Sequence, residues 1–466
     1  MSYLWEIDAL MAAVDGRPVG SMPEGITGIS IDTRTLKKGE AFFAIKGDQF
    51  DGHDFLVAAM RAGASVAIVN ESKLVSLGSL KLPLIVVRDV LDAMRRLGEV
   101  ARLRTKARII AITGSVGKTT TKEMLRTVLA PSGAVHASVA SFNNHWGVPL
   151  TLARMPQETK YGIFEIGMNH AGEITPLVKM VRPHVAMITA IAPAHIGAFD
   201  TIEDIARAKA EIYSGVVQGG HALINHDDRR YTLLRDLAGE AGIDNLSSYG
   251  QKRGSDFWLR NLDKTPDGSS LSVRVKGEDH DYEINIPGEH MAQNSVGVLG
   301  AACLLGADVE KSRDAMAKIS TADGRGTRYT IGGSGAMGIT IIDESYNANP
   351  TSMEAALEVL GNYEGVKTKR RIAVLGDMLE LGRMSRKYHE GLAKPISASK
   401  ADLVFLVGPE MENLAKILPK DKLGGYYKDA TVLPERLKAT MKPGDVVMLK
   451  ASKGIGFAAV VQAILE

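Results

Sequence analysis

The residues best suited to chemistry lie in one run, Ile109-Ile-Ala-Ile-Thr113-Gly114-Ser115-Val116-Gly117-Lys118-Thr119-Thr120. Its apolar, β-branched entry predicts a buried strand and its glycines a turn. Met124, Leu125, Val128 and Leu129 then predict a helix with one apolar side. Strand, glycine loop and helix in that order make a phosphate cradle, because backbone N–H groups converge on phosphate oxygens and the helix start adds partial positive charge. Gly114, Ser115, Val116, Gly117 and Thr120 would form the cradle. Lys118 would reach the β- and γ-phosphates, and the Thr119 hydroxyl would sit on Mg2+. Two residues separate Gly114 from Gly117, fewer than in the common phosphate-loop pattern, so the match is to a shortened form.

Phosphoryl transfer with Mg2+ needs oxygen ligands, and these are expected at the C-terminal ends of neighbouring strands. Glu165 is an acid inside the apolar segment Ile163-Phe-Glu-Ile-Gly167, and His195 follows an apolar strand in Ala192-Pro-Ala-His-Ile196. Lys209 lies on a predicted helix with apolar neighbours in Ile205-Ala-Arg-Ala-Lys-Ala-Glu-Ile212. Each has a plain alternative: an edge-strand acid, a structural histidine, a lysine whose stem lies along apolar surface. Asn143 and Asn144 sit in a turn, where helix capping is the alternative to ligand binding.

The elements that must hold these residues alternate along the chain. Apolar runs at 109–112, 162–166, 185–188, 339–343, 371–375, 402–407 and 445–450 read as strands, and most are separated by helical stretches such as 119–129, 352–360, 385–393 and 410–417. That alternation predicts parallel α/β sheets. Before about residue 85 the strands are short and joined by charged turns, and residues 249–286 alternate apolar with polar, as an antiparallel β insertion would. The expected units are 1–85, 86–322 and 323–466, which suits a chain of 466 residues.

Composition narrows the function classes. With 56 Lys+Arg against 54 Asp+Glu and no block of like charge, nothing favours nucleic acid or a membrane surface as a partner. The arginines and lysine at 95, 96, 102, 104, 106 and 108 accompany apolar residues at helical spacing and read as a solvated helix face. The single cysteine, Cys303, lies in an apolar run and reads as a small buried hydrophobe in a reducing compartment. No apolar run approaches the roughly 18 residues of a membrane span, and the first residues do not resemble a signal peptide. A cytoplasmic, multidomain protein is expected.

Together these residues resemble the Mur ligase family, the ATP-dependent amide ligases of peptidoglycan precursor synthesis. The resemblance runs along essentially the whole chain. It rests on the loop at 113–120, Asn143-Asn-His-Trp-Gly-Val-Pro149, Glu165-Ile-Gly-Met-Asn169, Ala194-His195 and Ala208-Lys-Ala-Glu-Ile212. It continues in Pro287-Gly-Glu-His-Met-Ala-Gln-Asn294, Asp343-Glu-Ser-Tyr-Asn-Ala-Asn-Pro350 and Leu375-Gly-Asp-Met-Leu-Glu-Leu-Gly382. The Tyr-Ala-His and Asp-Asn-Pro-Arg segments of the member that adds the third amino acid are absent. The resemblance therefore implies the step that joins D-Ala-D-Ala to UDP-MurNAc-tripeptide.

The implied fold is α/β with three domains: an N-terminal UDP-sugar-binding domain, a central phosphate-loop ATPase domain on a parallel sheet, and a Rossmann-like C-terminal domain. The implied cofactors are ATP and two Mg2+ ions, and a monomer is implied. Lys118 and Thr119 match ATP-phosphate and Mg2+ positions, and Glu165 and His195 match Mg2+ positions. Lys209 matches a lysine carbamylated by CO2, which turns a buried cation into a metal-site anion. Asn294 matches an adenine contact, Asp343 a ribose contact, and Arg325 an arginine that approaches the phosphates. Tyr346, Asn347 and Asn349 match nucleotide and dipeptide contacts. Thr33 and Arg34 match hydroxyl and guanidinium contacts to the substrate pyrophosphate, with a solvated polar turn as the alternative. The family also implies that the C-terminal domain closes over ATP, with a hinge expected at 322–327. One departure is visible: many members carry Lys-Gly-Ser-Arg after a late strand, whereas this chain has Lys450-Ala-Ser-Lys453. Lysine there lacks the forked grip of arginine.

Overall fold

The computed structural model describes residues 3–78, 80–139, 141–194, 196–265, 267–333, 338–363 and 368–466. Three large sheets follow one another along the chain, of five, nine and six strands, and each is parallel over much of its width.

The strand Arg108–Thr113 lies inside the nine-stranded sheet, paired in parallel with Tyr161–Glu165 on one side and Val185–Ile188 on the other. The chain therefore departs to one side of it and returns on the other, which opens a crevice above the strand ends at Thr113. Side chains alternate across the sheet. Ile110 and Ile112 enter a core shared with the helices Lys118–Leu129 and Glu289–Leu304, while Ile109 and Ala111 face Ile174–Val181 and Ile202–Ala210. Met124, Leu125, Val128 and Leu129 are fully buried, each contributing about 1.5–3 kcal/mol. Cys303 is buried in the first of these cores.

The antiparallel segment expected at 249–286 exists, but it is no separate insertion. Phe257–Lys264, Ser269–Val275 and Glu278–Ile284 extend the central sheet, with Phe257 continuing in parallel from Tyr249. Its last strand starts at Glu278, where Lys276 (φ 51°) and Gly277 (φ 92°) form a tight two-residue turn.

The N-terminal five-stranded sheet has the order Arg17–Val19, Leu84–Val87, Val66–Asn70, Ala41–Phe43, Ile29–Ser30. Residue 85, where the sequence suggested a boundary, thus lies within a strand of this sheet. The following helix, Val90–Arg104, shares a core with Ile26, Phe43 and Ile68 and also with Leu150 and Ala153. At the other junction, Ile319 belongs to the central core and the six-stranded sheet begins at Thr327. That sheet has the order Thr327–Ile331, Ile339–Glu344, Asp445–Lys450, Arg370–Gly376, Leu403–Val407, Leu423–Tyr427.

The expectation of a solvated basic helix face fails at two positions. Arg95 and Arg96 are exposed, but Arg102 is buried and donates to the carbonyls of Val181 (2.7 Å) and Arg182 (2.8 Å). Those carbonyls end the helix Ile174–Val181 and have no donor within it, so the guanidinium completes them. Arg104 donates to the Leu4 and Met155 carbonyls and stacks 3.4 Å from the centroid of the Trp5 ring. Among the described residues no helix is long and apolar enough to cross a membrane.

Candidate active site

A cavity of about 490 Å³ opens between the central and C-terminal domains. The loop residues 115–120 form its floor. Gly114 (φ 151°) passes so close to Thr189 that a Cβ would stand 1.9 Å from Thr189 Oγ1, so only glycine fits. Thr189 Oγ1 in turn donates to the Val116 carbonyl at 2.6 Å, and Ser115 Oγ donates to the Ala192 carbonyl at 2.9 Å. The loop is thereby fastened to the neighbouring strand end. Lys118 Nζ folds back to the Gly114 carbonyl at 2.7 Å. Burial lowers the pKa of Lys118, Glu165 opposes that shift, and the Arg325 charge adds to it.

Thr119 stands at the centre of the polar network. Its hydroxyl donates to Glu165 Oε2 at 2.8 Å, lies 3.2 Å from Ser141 Oγ, and accepts from Arg325 Nη2 at 3.1 Å. Glu165 is only 2% exposed, which excludes the edge-strand alternative, and its Oε1 accepts from Asn143 Nδ2 at 2.7 Å. Thr119, Ser141 and Glu165 thus bring together oxygens of the kind a hard divalent cation takes. Among the described residues no group of three or more His, Cys, Asp or Glu side chains is gathered around a metal position. The His195 expectation lies outside the described residues.

Lys209 is 1% exposed on the helix Ile202–Ala210, and no hydrogen bond or ion pair to it is found among the described residues. Burial, with Lys118 as a second cause, lowers its pKa well below the ordinary lysine value. A lowered pKa favours the neutral amine, the form that reacts with CO2. A lysine with its stem on the surface and its charge in water is excluded.

The C-terminal domain closes the other side. Arg325 stacks on the Tyr346 ring, with the guanidinium carbon 3.9 Å from the centroid, and reaches across to Thr119. Asn347 and Asn349 line the cavity; Asn349 also caps the helix Pro350–Gly361 by accepting from the Ser352 N–H. Asn294 lines it from the helix Glu289–Leu304, beside Gly117.

Four expected residues stand elsewhere. Asp343 does not line the cavity: its carboxylate accepts from the Ser345 N–H at 3.0 Å, and its own carbonyl accepts from Gly326. Asn144 caps the turn before Gly147–Ala153, accepting from the Gly147 N–H at 3.0 Å. Thr33 and Arg34 lie outside the cavity on the N-terminal unit, and Arg34, its side chain 86% exposed, pairs with Asp32 at 2.6 Å.

The segment at 450–453 is richer than its sequence implied. Lys450 is buried, pairs with Glu344 at 3.1 Å and donates to the Asn347 carbonyl at 3.0 Å. Lys453 lines the cavity, 6.0 Å from the centroid of the Tyr346 ring. Their position at the C-terminal end of a parallel strand is the signal that points to them.

Three family descriptions cover most of the chain: "Mur ligase family, catalytic domain" at residues 25–103, "Mur ligase middle domain" at 112–302 and "Mur ligase, glutamate ligase domain" at 328–453. A UDP-N-acetylmuramoyl-tripeptide–D-alanyl-D-alanine ligase of Rickettsia prowazekii is 34% identical over 427 residues, 92% of either protein. The crystal structure of MurF from Acinetobacter baumannii superposes with a TM-score of 0.84 at 29% identity, covering 99% of this chain and 98% of that one. The MurF ligase of Thermotoga maritima in complex with ADP gives 0.75 at 25% identity, over 94% and 96%. With its shortened phosphate loop facing an arginine from the next domain, and with relatives matched nearly end to end, the chain belongs to the Mur ligase family.

Proposed function

We propose that this chain is the ATP-dependent ligase that joins D-alanyl-D-alanine to the free carboxylate of UDP-N-acetylmuramoyl-tripeptide, yielding the pentapeptide precursor of peptidoglycan. The observation that carries the reading is the Arg325–Thr119 contact, which brings two domains together over a phosphate loop in a chain whose relatives bear that activity in their names.

A carboxylate cannot be attacked by an amine directly, because oxide does not leave. Its oxygen instead attacks the γ-phosphorus of ATP, ADP departs, and the acyl phosphate forms. The dipeptide amine then adds to the carbonyl carbon, the tetrahedral intermediate collapses, and phosphate leaves with both electrons of the C–O bond. Lys118 and Arg325 face the transferring phosphoryl group from opposite sides and stabilise charge that develops on its oxygens. Gly114, Ser115, Val116, Gly117 and Thr120 supply the cradle, and Asn294 faces the adenine. Thr119, Glu165, the carbamylated Lys209 and His195 would hold Mg2+, which when bound neutralises phosphate charge. Asn347 and Asn349 border the dipeptide side, and Thr33 and Arg34 serve the uridine diphosphate on the N-terminal unit. Closing the cavity between domains keeps water from the acyl phosphate, and residues 322–327 act as the hinge. The family resemblance implies a monomer, acting in the cytoplasm where ATP is supplied.

The test is phosphate release from Mg-ATP with the UDP-tripeptide and D-Ala-D-Ala, each omitted in turn. Release that needs both, with a pentapeptide product by mass spectrometry, is the expected result. Release that needs neither overturns the reading.

A further inference from the structure

Arg325 must place a charged, flexible side chain against a loop that already carries a lysine. The two cations stand at the same loop, Lys118 at the Gly114 carbonyl and Arg325 at the Thr119 hydroxyl, and like charges repel. An unsupported arginine would swing away from Lys118 towards solvent and forfeit the geometry that phosphoryl transfer requires.

The ring of Tyr346 supplies the support. The guanidinium carbon lies 3.9 Å from the ring centroid, while Nη2 points to Thr119 Oγ1 at 3.1 Å. The same two residues are tied through the main chain: the Tyr346 N–H donates to the Gly324 carbonyl at 3.1 Å, and the Gly326 N–H donates to the Asp343 carbonyl at 2.8 Å. The turn carrying Arg325 is therefore pinned to the segment carrying Tyr346, and the ring reaches the guanidinium with little freedom on either side. Among the described residues the Tyr346 hydroxyl makes no hydrogen bond, so the aromatic face is the part in use. A guanidinium over such a face is attracted by the ring quadrupole.

We infer that Tyr346 is a positioning residue: it holds the Arg325 guanidinium at the phosphate loop and acts on the reaction through Arg325, not through its own contact with nucleotide or dipeptide. This rests on the proposed ligase activity and on the phosphate role of Arg325. It also gives Asp343 a place, as the carbonyl that anchors the Arg325 turn.

The test compares Tyr346→Phe and Tyr346→Leu in dipeptide-dependent phosphate release, each alone and in an Arg325→Met background. Phe keeps the ring, so kcat is expected to stay within about two-fold of the unmodified protein, while Leu lowers kcat about ten-fold with the KM for D-Ala-D-Ala unchanged. In the Arg325→Met background Tyr346→Leu is expected to cost nothing further. Equal losses from Leu in both backgrounds, a raised dipeptide KM, or a Phe variant as impaired as Leu would each overturn the inference. If Tyr346→Leu does not fold by circular dichroism, Tyr346→Gln is read by the same criteria. An unmodified protein that releases no phosphate with both substrates would sink the functional reading itself. An active one in which Tyr346→Leu changes nothing sinks only the role of Tyr346.

Discussion

Gly197 and Gly382 meet backbone to backbone across the domain interface: a Cβ on Gly382 would lie 2.8 Å from the Gly197 Cα, and the Gly197 N–H donates to the Glu380 carbonyl at 3.1 Å. Gly382 also has a left-handed backbone (φ 52°). Beside this contact Ile196 packs on the C-terminal core and Arg383 pairs with Asp200, and elsewhere Arg328 pairs with Asp267 across the domains. Alanine at Gly197 or Gly382 should therefore hold the domains apart without disturbing either core. A fall in kcat of about 10-fold or more is expected from the misplaced groups, with the melting temperature nearly unchanged for Gly197→Ala and lowered for Gly382→Ala, whose left-handed backbone disfavours a Cβ. Steady-state kinetics beside a thermal scan checks this, and solution scattering with an ATP analogue should show a more open molecule.

Thr119→Val keeps the shape and removes the hydroxyl. Glu165 Oε2 loses its donor and Arg325 loses its acceptor, so the variant should lose about 1–3 kcal/mol of stability as well as phosphate release. Urea unfolding measures the first effect and the phosphate assay the second.

Lys209→Ala removes the buried amine. Activity is expected to fall by about 100-fold or more and to recover in part with added short carboxylic acids. Carbon-13 bicarbonate should give a carbamate signal in the unmodified protein and none in the variant, a readout independent of turnover.

His184 governs part of the acid limb of stability. Its Nδ1 accepts from the Ile109 N–H at 2.9 Å, which only the neutral ring can do. Burial, then Arg108 and Arg102, depress its pKa from 6.5 to about 4. The unfolded chain binds this proton more readily, so the stabilisation is complete above the unfolded pKa and is lost as pH falls from about 6.5 through 4. His184→Asn, which keeps an acceptor but cannot titrate, should flatten the melting temperature over that interval.

Arg102→Met leaves the Val181 and Arg182 carbonyls without donors. It should cost about 2–3 kcal/mol and lower the melting temperature while leaving kcat within about two-fold.

Much of this site is legible in the chain because it is local. Glycine spacing, an apolar entry strand and a 3.6-residue pattern lie side by side between Arg108 and Leu129, and the helix begins within a residue of expectation. Glu165 is legible as an acid in an apolar strand. The Arg325–Thr119 contact is not, since its partners lie 206 residues apart and no periodicity encodes such a pair. Asp343 shows a different limit: the motif is legible, but it does not reveal that one carboxylate oxygen and the carbonyl serve the backbone. The burial of Arg102 escapes for a like reason, because the need it meets, bare carbonyls at another helix's end, is set by tertiary packing.

The helix Val90–Arg104 has a consequence for how ligands are received. It is built into the N-terminal core and into the central unit at once, and Trp5 and Arg154 add cross-links to the Ala153 and Ile29 carbonyls. The spacing between the N-terminal sheet and the phosphate loop is therefore settled when the chain folds, before anything binds. A long substrate spanning the two meets a ruler already cut to length, while the proposed hinge at 322–327 is left to bring Arg325 down.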